Sequence, residues 1–403
     1  MSASPTADEG RGWLTPNLRV LSGVSFLQDA ASELLYPVLP IFLTVTLGAP
    51  AAVVGVVEGV AEGISALSKL LLGRLADGRA KRPFIALGYG LAAVGKVLIA
   101  VAGSWPVVLG GRGIDRIGKG IRGAPRDALL MVDVPRAERG RVFGFHRAAD
   151  TAGAVVGPAI GLGLYELLDH RLRPLLVIAV IPAVLSVLLV AAVREAPIGP
   201  TSVRQSPQVA APLQLSPELR RLIGVLTLFG LVNFPDALLL LRAHDLGLST
   251  AGVIGAYIAY NAVYAGAAYP AGALSDRLPR HRVFAVGLLL FAVGYLGLGL
   301  SRSPWLVFVL LPVYGGFAAC TDGVGKAWVS SLAPDNRQAG AQGLYQALSG
   351  GAVLVAGLWA GLAWGGDGVL PLLLSGSVAA LLAVVFFVRG SALDGARLTA
   401  GRM

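Results

Sequence analysis

The segment from Trp105 to Met131, WPVVLGGRGIDRIGKGIRGAPRDALLM, is bounded like a membrane span yet holds seven charged side chains, which constrains the chain more than any other feature. Arg112, Arg116, Lys119, Arg122 and Arg126 follow at intervals of four, three, three and four residues, so an α-helix stacks all five on one face. Val107, Leu109, Ile114, Ile117 and Ile121 make the opposite face apolar. An ionised side chain at mid-bilayer costs at least about 2.5 to 3.5 kcal/mol on insertion scales, so the basic face must look into protein or into a water-filled cavity. A helix of this kind is expected to wall a transport cavity.

Composition bounds the rest. With 55% hydrophobic and 14% charged residues over 403 positions and a mean hydropathy of +0.72, the chain is an all-α polytopic membrane protein rather than a soluble one. The single Cys320 excludes an intrachain disulfide and a cysteine metal cage, and His146, His170, His244 and His281 form no metal motif, so neither metal nor cofactor is expected. The net charge of +10 sits mainly in short segments between apolar runs. That is the positive-inside pattern, not a nucleic-acid footprint.

Apolar runs fall near 20–47, 51–73, 83–103, 105–131, 145–168 and 175–193, then near 219–241, 251–274, 283–301, 304–330, 340–364 and 368–388. This predicts twelve transmembrane helices in two six-helix bundles, over 1–193 and 218–403. The Pro-, Ser- and Gln-rich segment 194–217 reads as a flexible cytoplasmic linker. Arg74, Arg79, Lys81, Arg82, Arg136, Arg139, Arg141, Arg220, Arg221, Arg277, Arg280 and Arg282 fall on one side, against Arg171, Arg173, Arg242 and Arg302 on the other. Both termini are therefore expected in the cytoplasm. Residues 1–19 carry no cleavable signal pattern.

The halves repeat. Gly73, Asp77, Arg79, Lys81 and Arg82 follow the second run, and Gly272, Asp276, Arg277, Arg280 and Arg282 follow the eighth. Each copy sets a Gly four residues before an Asp, with basic residues beyond. On these residues the chain resembles the major facilitator superfamily, although Gly78 stands where the signature has a basic residue and Ala80 and Pro279 where it has a second Gly. Arg112, Asp115, Gly118 and Gly120 resemble the superfamily's fourth-helix motif, with Arg116 in place of a common Gly. Gly153, Gly157, Pro158 and Gly161 resemble a fifth-helix motif associated with antiporters. The string from Asp115 to Asp127, with Gly144 to Arg147 and Asp150, resembles a bacterial proton-coupled, drug-exporter-like branch. The resemblance implies the major facilitator fold in a bacterial cytoplasmic membrane. It also implies conformational-switch roles for Gly73, Asp77, Arg79, Arg126, Asp150, Gly153, Gly157, Pro158, Gly272, Asp276 and Arg277.

At about 1.5 Å per helical residue, Glu58 and Glu62 lie level with Arg112 and Arg116. Asp29 and Glu33 lie level with Arg122 and Lys119, and Asp150 with Arg126. The ladder reads either as a buried ion-pair network that only fixes helix register or as carboxylates that exchange a cation partner for a proton. Lys96 is expected on a lipid-facing helix, and the sixth run, free of charge, on another. In the second half Pro235 is expected to break its helix.

The expected function is proton-coupled antiport exporting a small amphiphilic solute by alternating access, with no enzymatic activity. The proton-coupling candidates are Asp29, Glu33, Glu58, Glu62 and Arg112. The cavity candidates are Tyr36, Asp115, Arg116, Lys119, Arg122, Asn233, Asp236, Tyr257, Asn261, Asp322, Lys326 and Gln346. The partners expected are the solute, protons and lipid, for a monomer that binds no nucleic acid. Alternatives are an organic-anion transporter or exchanger using the basic face, a divalent-metal exporter using Asp29, Glu33 and Asp236, a membrane sensor, and an intramembrane enzyme. No large soluble domain supports the sensor, and no nucleophile with an adjacent base supports the enzyme.

Overall fold

The computed structural model describes residues 14–72, 79–130, 132, 139–195, 215–333 and 338–390. Its first half holds α1 (Pro16–Leu35), α2 (Leu39–Ile41), α3 (Ala51–Leu72), α4 (Arg82–Ala100), α5 (Trp105–Leu130), α6 (Arg139–Leu167), α7 (Leu172–Ile178) and α8 (Val180–Leu189). The second holds α9 (Pro217–Gly230), α10 (Asp236–Asp245), α11 (Thr250–Arg277), α12 (Arg280–Leu300), α13 (Val307–Leu332), α14 (Gln338–Leu362) and α15 (Val369–Arg389). Gly73 and Asp77 lie outside the described residues, as does most of segment 194–217. The start of that segment is anchored rather than loose: Arg194 exchanges two hydrogen bonds with Asn17, and Glu195 accepts from the backbone N–H groups of Lys81 and Arg82 at 2.7 and 2.9 Å. Those acceptors satisfy donors at the start of α4 that have no partner within the helix.

Seven described segments are long and apolar enough to cross a membrane: Ala51–Lys69, Arg82–Ala100, Leu172–Ala192, Arg280–Leu300, Pro304–Leu332, Ala341–Leu362 and Val369–Arg389. By composition α5 is not among them, because its charges dilute the apolar run. Nor are α9 and α10, at 14 and 10 residues, because the chain breaks between them at Leu231 to Pro235. Pro235 thus interrupts its helix as expected. The first apolar run is interrupted likewise at Tyr36 to Val38, and a π-helical turn over Phe42–Thr46 follows.

The halves use the same local devices. Thr15 and Ser216 cap α1 and α9 by accepting from the N–H groups of Leu18 and Leu219, and each is followed by a proline in the first turn. Gly48 and Gly247 take positive φ of 66° and 92° in the turns that lead into α3 and α11.

Within the first half α1 packs on α6 and α8, α4 on α5 and α8, and α3 on α5; within the second, α11 packs on α13, and α12 on α13 and α15. The halves meet where α3 packs on α14, α6 on α11, and α10 on α2 and α3. Backbones touch at glycines. A Cβ on Gly157 would sit 2.5 Å from the carbonyl oxygen of Ala30, and one on Gly153 2.7 Å from that of Phe26, so this motif seats α6 on α1. Gly95 and Gly111 join α4 to α5 in the same way, and Gly118 joins α5 to α4 against Gly88. Arg116 does not spoil that packing, because its guanidinium reaches α3 instead. The charge-free α8 is lipid-like at its surface, with Ile181, Val184, Leu185 and Leu188 exposed.

Candidate functional site

A cavity of about 310 Å³ lies between the halves. Its floor is the α9–α10 break, with Asn233, Pro235 and Asp236, and its walls include Tyr36, Glu58, Glu62, Tyr260, Tyr314 and Asp322. On the side of the protein where α3 begins it is shut, because Gly55 and Gly59 pack against the backbone of Leu354, Gly357 and Gly361 in α14. Toward the other side, where α1 begins, Lys69, Lys119, Asp322 and Lys326 are exposed. The cavity therefore opens on the face that carries the first residues of α1.

Two rungs of the charge ladder form as the depth argument expects. Arg112 Nε donates to Glu58 Oε1 at 2.8 Å, its Nη2 to Glu58 Oε2, and both side chains are buried. Arg116 Nη2 lies 3.3 Å from Glu62 Oε1, with Glu62 still 42% exposed to the cavity. Glu58 is thus matched by a bidentate partner, whereas Glu62 keeps a face open.

The remaining rungs are built differently. Lys96 does not face lipid: it is buried and donates to Asp115 Oδ1 at 3.2 Å. Asp115, expected in the cavity, is therefore turned toward α4. Arg122 also leaves the cavity, with its guanidinium 4.4 Å from the centre of the Tyr89 ring. The spacing that puts five cations on one side of α5 spans an arc wide enough to reach both α3 and α4. Arg126 donates to Ser25 Oγ at 3.0 Å and to Asp127 at 3.1 Å, while Asp150 has His146 at 3.8 Å. Asp29 is half-buried, has no ion pair within 4 Å among the described residues, and has Asp150, Lys119, Arg122 and Arg126 as its charged neighbours. Lys119 is exposed and likewise unpaired among the described residues.

The tyrosines of the second half answer carboxylates of both halves. Tyr257 Oη donates to Glu33 Oε2 at 2.5 Å, which joins α1 to α11 across the two halves. Tyr260 and Tyr314 donate to Asp236 at 3.1 and 2.6 Å, and Tyr264 donates to Asp322 at 2.9 Å. The rings form a continuous set, with centroids 5.5 Å apart for Tyr36 and Tyr257, 5.7 Å for Tyr257 and Tyr260, and 5.6 Å for Tyr260 and Tyr314. Of the other candidates, Asn261 turns onto the carbonyl of Tyr257 in its own helix, Gln346 is half-buried on α14, and Asn233 Oδ1 has no hydrogen-bond partner. Arg79 is exposed, and Gly272, Asp276 and Arg277 close the last turns of α11.

Sequence reasoning missed Tyr260, Tyr264 and Tyr314 as carboxylate partners; tyrosines at helical spacing read more readily as packing. It also missed Arg242, which is buried and donates to the carbonyls of Leu298, Gly299, Ser301 and Asp367. Among the described residues no group of three or more His, Cys, Asp or Glu side chains is placed to hold a metal ion, so Asp29, Glu33 and Asp236 do not form the ligand set that metal export needs.

An all-helical chain with two similarly built halves about a charged central cavity has the form of a solute carrier. The sequence profile of the Major Facilitator Superfamily matches residues 21–258 and 222–400. The chain belongs to the Major Facilitator Superfamily. It is 33% identical to the uncharacterized MFS-type transporter MJ1317 of Methanocaldococcus jannaschii, over 87% of this chain and 89% of that one. It is 27% identical to the class G tetracycline resistance protein of Vibrio anguillarum, over 78% and 82% of the two chains. The crystal structure of the nucleoside transporter NupG superposes with a TM-score of 0.76 at 14% identity, covering 92% of this chain and 98% of that one. A bacterial homologue of the human lysosomal transporter Spinster, in an inward-facing and unoccupied conformation, superposes with a TM-score of 0.70 at 18% identity, covering 96% and 97%. This Major Facilitator member is a multi-pass membrane protein and a secondary active transporter, not an enzyme.

Arg122 offers a first test of which α5 cations matter to transport. Arg122→Met keeps the side chain's length but removes the charge over Tyr89, so thermal unfolding in detergent should show a loss of about 2 kcal/mol. Solute uptake by the variant should stay near the parental rate, because the side chain faces α4.

Proposed function

We propose that the protein is a proton-coupled antiporter that exports a small organic solute from the cytoplasm. In this reading twelve membrane crossings form two six-helix bundles, both termini are cytoplasmic, and the membrane is a bacterial cytoplasmic membrane. The bundles rock about the cavity, with the broken α1–α2 and α9–α10 segments at its floor. The paired Gly48 and Gly247 turns support that symmetry.

The observation that carries the coupling is the Glu33–Tyr257 hydrogen bond between the halves. A carboxylate in that position links protonation to the spacing of the bundles: ionised, it accepts from the Tyr257 hydroxyl and ties α1 to α11; protonated, it no longer needs that donor. Asp29, one turn away on α1, and Glu62, open to the cavity, are the further carriers on this reading. The Arg112–Glu58 pair is the fixed wall against which they work, and the tetracycline resistance relatives favour export. The organic-anion alternative is less favoured, because Arg112 and Arg116 already hold carboxylates and Arg122 is turned to Tyr89.

Glu33→Gln separates transport from coupling. The variant should still exchange labelled for unlabelled solute across proteoliposomes with no proton gradient, and it should lose most of the accumulation that a pH gradient drives. Retention of full gradient-driven accumulation would remove Glu33 from the coupling step.

A further inference from the structure

Resting on that reading of the cavity as the solute site, we infer that the transported solute presents a cationic head, a protonated amine or quaternary ammonium, which seats against Asp236 within the ring set of Tyr36, Tyr260 and Tyr314. None of the described residues that line the cavity is basic. Glu58 and Glu62 are matched from behind by Arg112 and Arg116, and Asp322 has Lys326 one turn along its own helix. Among the described residues Asp236 has no cation beside it: its partners are two tyrosine hydroxyls, and its charged neighbours are the carboxylates of Asp322 and Glu33. A cationic head supplies the missing charge.

The shape agrees with the charge. Tyr260 and Tyr314 hold their hydroxyls on Asp236 and stack at 5.6 Å with an interplanar angle of 17°, and Tyr36 lines the same space. Aromatic faces around a carboxylate attract a cation through the ring quadrupoles and pack its methyl or methylene groups. Asn233 lines the same cavity, with its Oδ1 buried and without a hydrogen-bond partner among the described residues. A volume of about 310 Å³ is at the lower end of small-molecule pockets, enough for a head group on a one-ring body.

The test is calorimetric binding to the purified full-length protein in detergent. The probes are phenethyltrimethylammonium, neutral N-phenethylacetamide and anionic 3-phenylpropionate. The cation should bind about tenfold or more tightly than either isostere, and Asp236→Asn should lower its affinity by a similar factor. Tyr314→Leu removes one ring and one hydroxyl and reads the same site should Asp236→Asn fail to fold; it too should weaken the cation, whereas Arg122→Met should not. Equal binding of the neutral or anionic probe, undiminished binding by Asp236→Asn, or no binding of the cation at millimolar concentration would overturn the inference. Cation binding with no accompanying proton flux in vesicles would sink the coupling proposal and leave this one standing. Proton flux driven by neutral or anionic solutes alone would do the reverse.

Discussion

Glu58→Ala is expected to destabilise the protein by about 3 to 5 kcal/mol, because it strips the Arg112 guanidinium of its bidentate partner in the interior. Both side chains of the pair are less than a tenth exposed, and Arg112 spends Nε and Nη2 on the one carboxylate. Its other neighbours include the Tyr36 ring, with the centroid 5.9 Å away, and the Asp115 carboxylate. Arg112→Ala should be similarly harmful, since it leaves the Glu58 carboxylate buried and unmatched. The double variant Glu58→Leu with Arg112→Met, which replaces both charges by apolar groups of similar volume, should recover much of the loss. Thermal and denaturant unfolding of these proteins in one detergent, with the single Glu58→Leu and Arg112→Met variants alongside, closes the cycle. A double variant as unstable as the sum of the single ones would show that the two residues act independently.

The second large effect is expected at the α3–α14 seam. A Cβ on Gly357 would lie 2.7 Å from the carbonyl oxygen of Gly55 and 3.1 Å from the Cα of Gly59, both of them backbone atoms that cannot turn aside. Gly357→Leu must therefore push the two helices apart. Overpacking of this kind costs about 1 to 3 kcal/mol, which shifts a two-state equilibrium roughly 5- to 150-fold. The state penalised is the one seen here, closed where α3 begins. In a Cys320→Ser background a cysteine introduced at Asn233 should react faster with a membrane-impermeant maleimide supplied on that side when Gly357→Leu is present, and transport should fall in proportion. Unchanged labelling would mean that the seam is not what shuts this side of the cavity.

How much of this was legible in the sequence varies with the kind of information needed. Apolar run lengths located the helices, and Pro235 located the break at the cavity floor. Glu58 pairs with Arg112 and Glu62 with Arg116 as their depths along α3 and α5 indicate, because the two helices pack on each other with equal depths in contact. Depth carries no angular information, however. Lys96 and Arg122 therefore went to the wrong surroundings: one pairs with Asp115 inside the protein and the other covers Tyr89. Arg242 reads as a loop charge from its position near a helix end, yet it ties together carbonyls from the α12–α13 turn and the loop before α15. The tyrosine–carboxylate pairs lay furthest from reach. Glu33 and Tyr257 are 224 residues apart, and nothing local marks either as the other's partner. Their meeting is a property of how two separately packed halves dock. The glycines of α6 were legible as a packing motif, and their seat on α1 gives that motif a mechanical role within one half.

In an antiporter, solute and protons move in opposite directions through this cavity. Proteoliposomes loaded with a pH-sensitive dye and given an imposed gradient of organic cation test it directly. Antiport predicts that cation leaving the vesicle acidifies the lumen in the parental protein, with no such change in Glu33→Gln although that variant still exchanges solute. Solute flux with no proton signal in the parental protein, or with protons travelling alongside the solute, would contradict it.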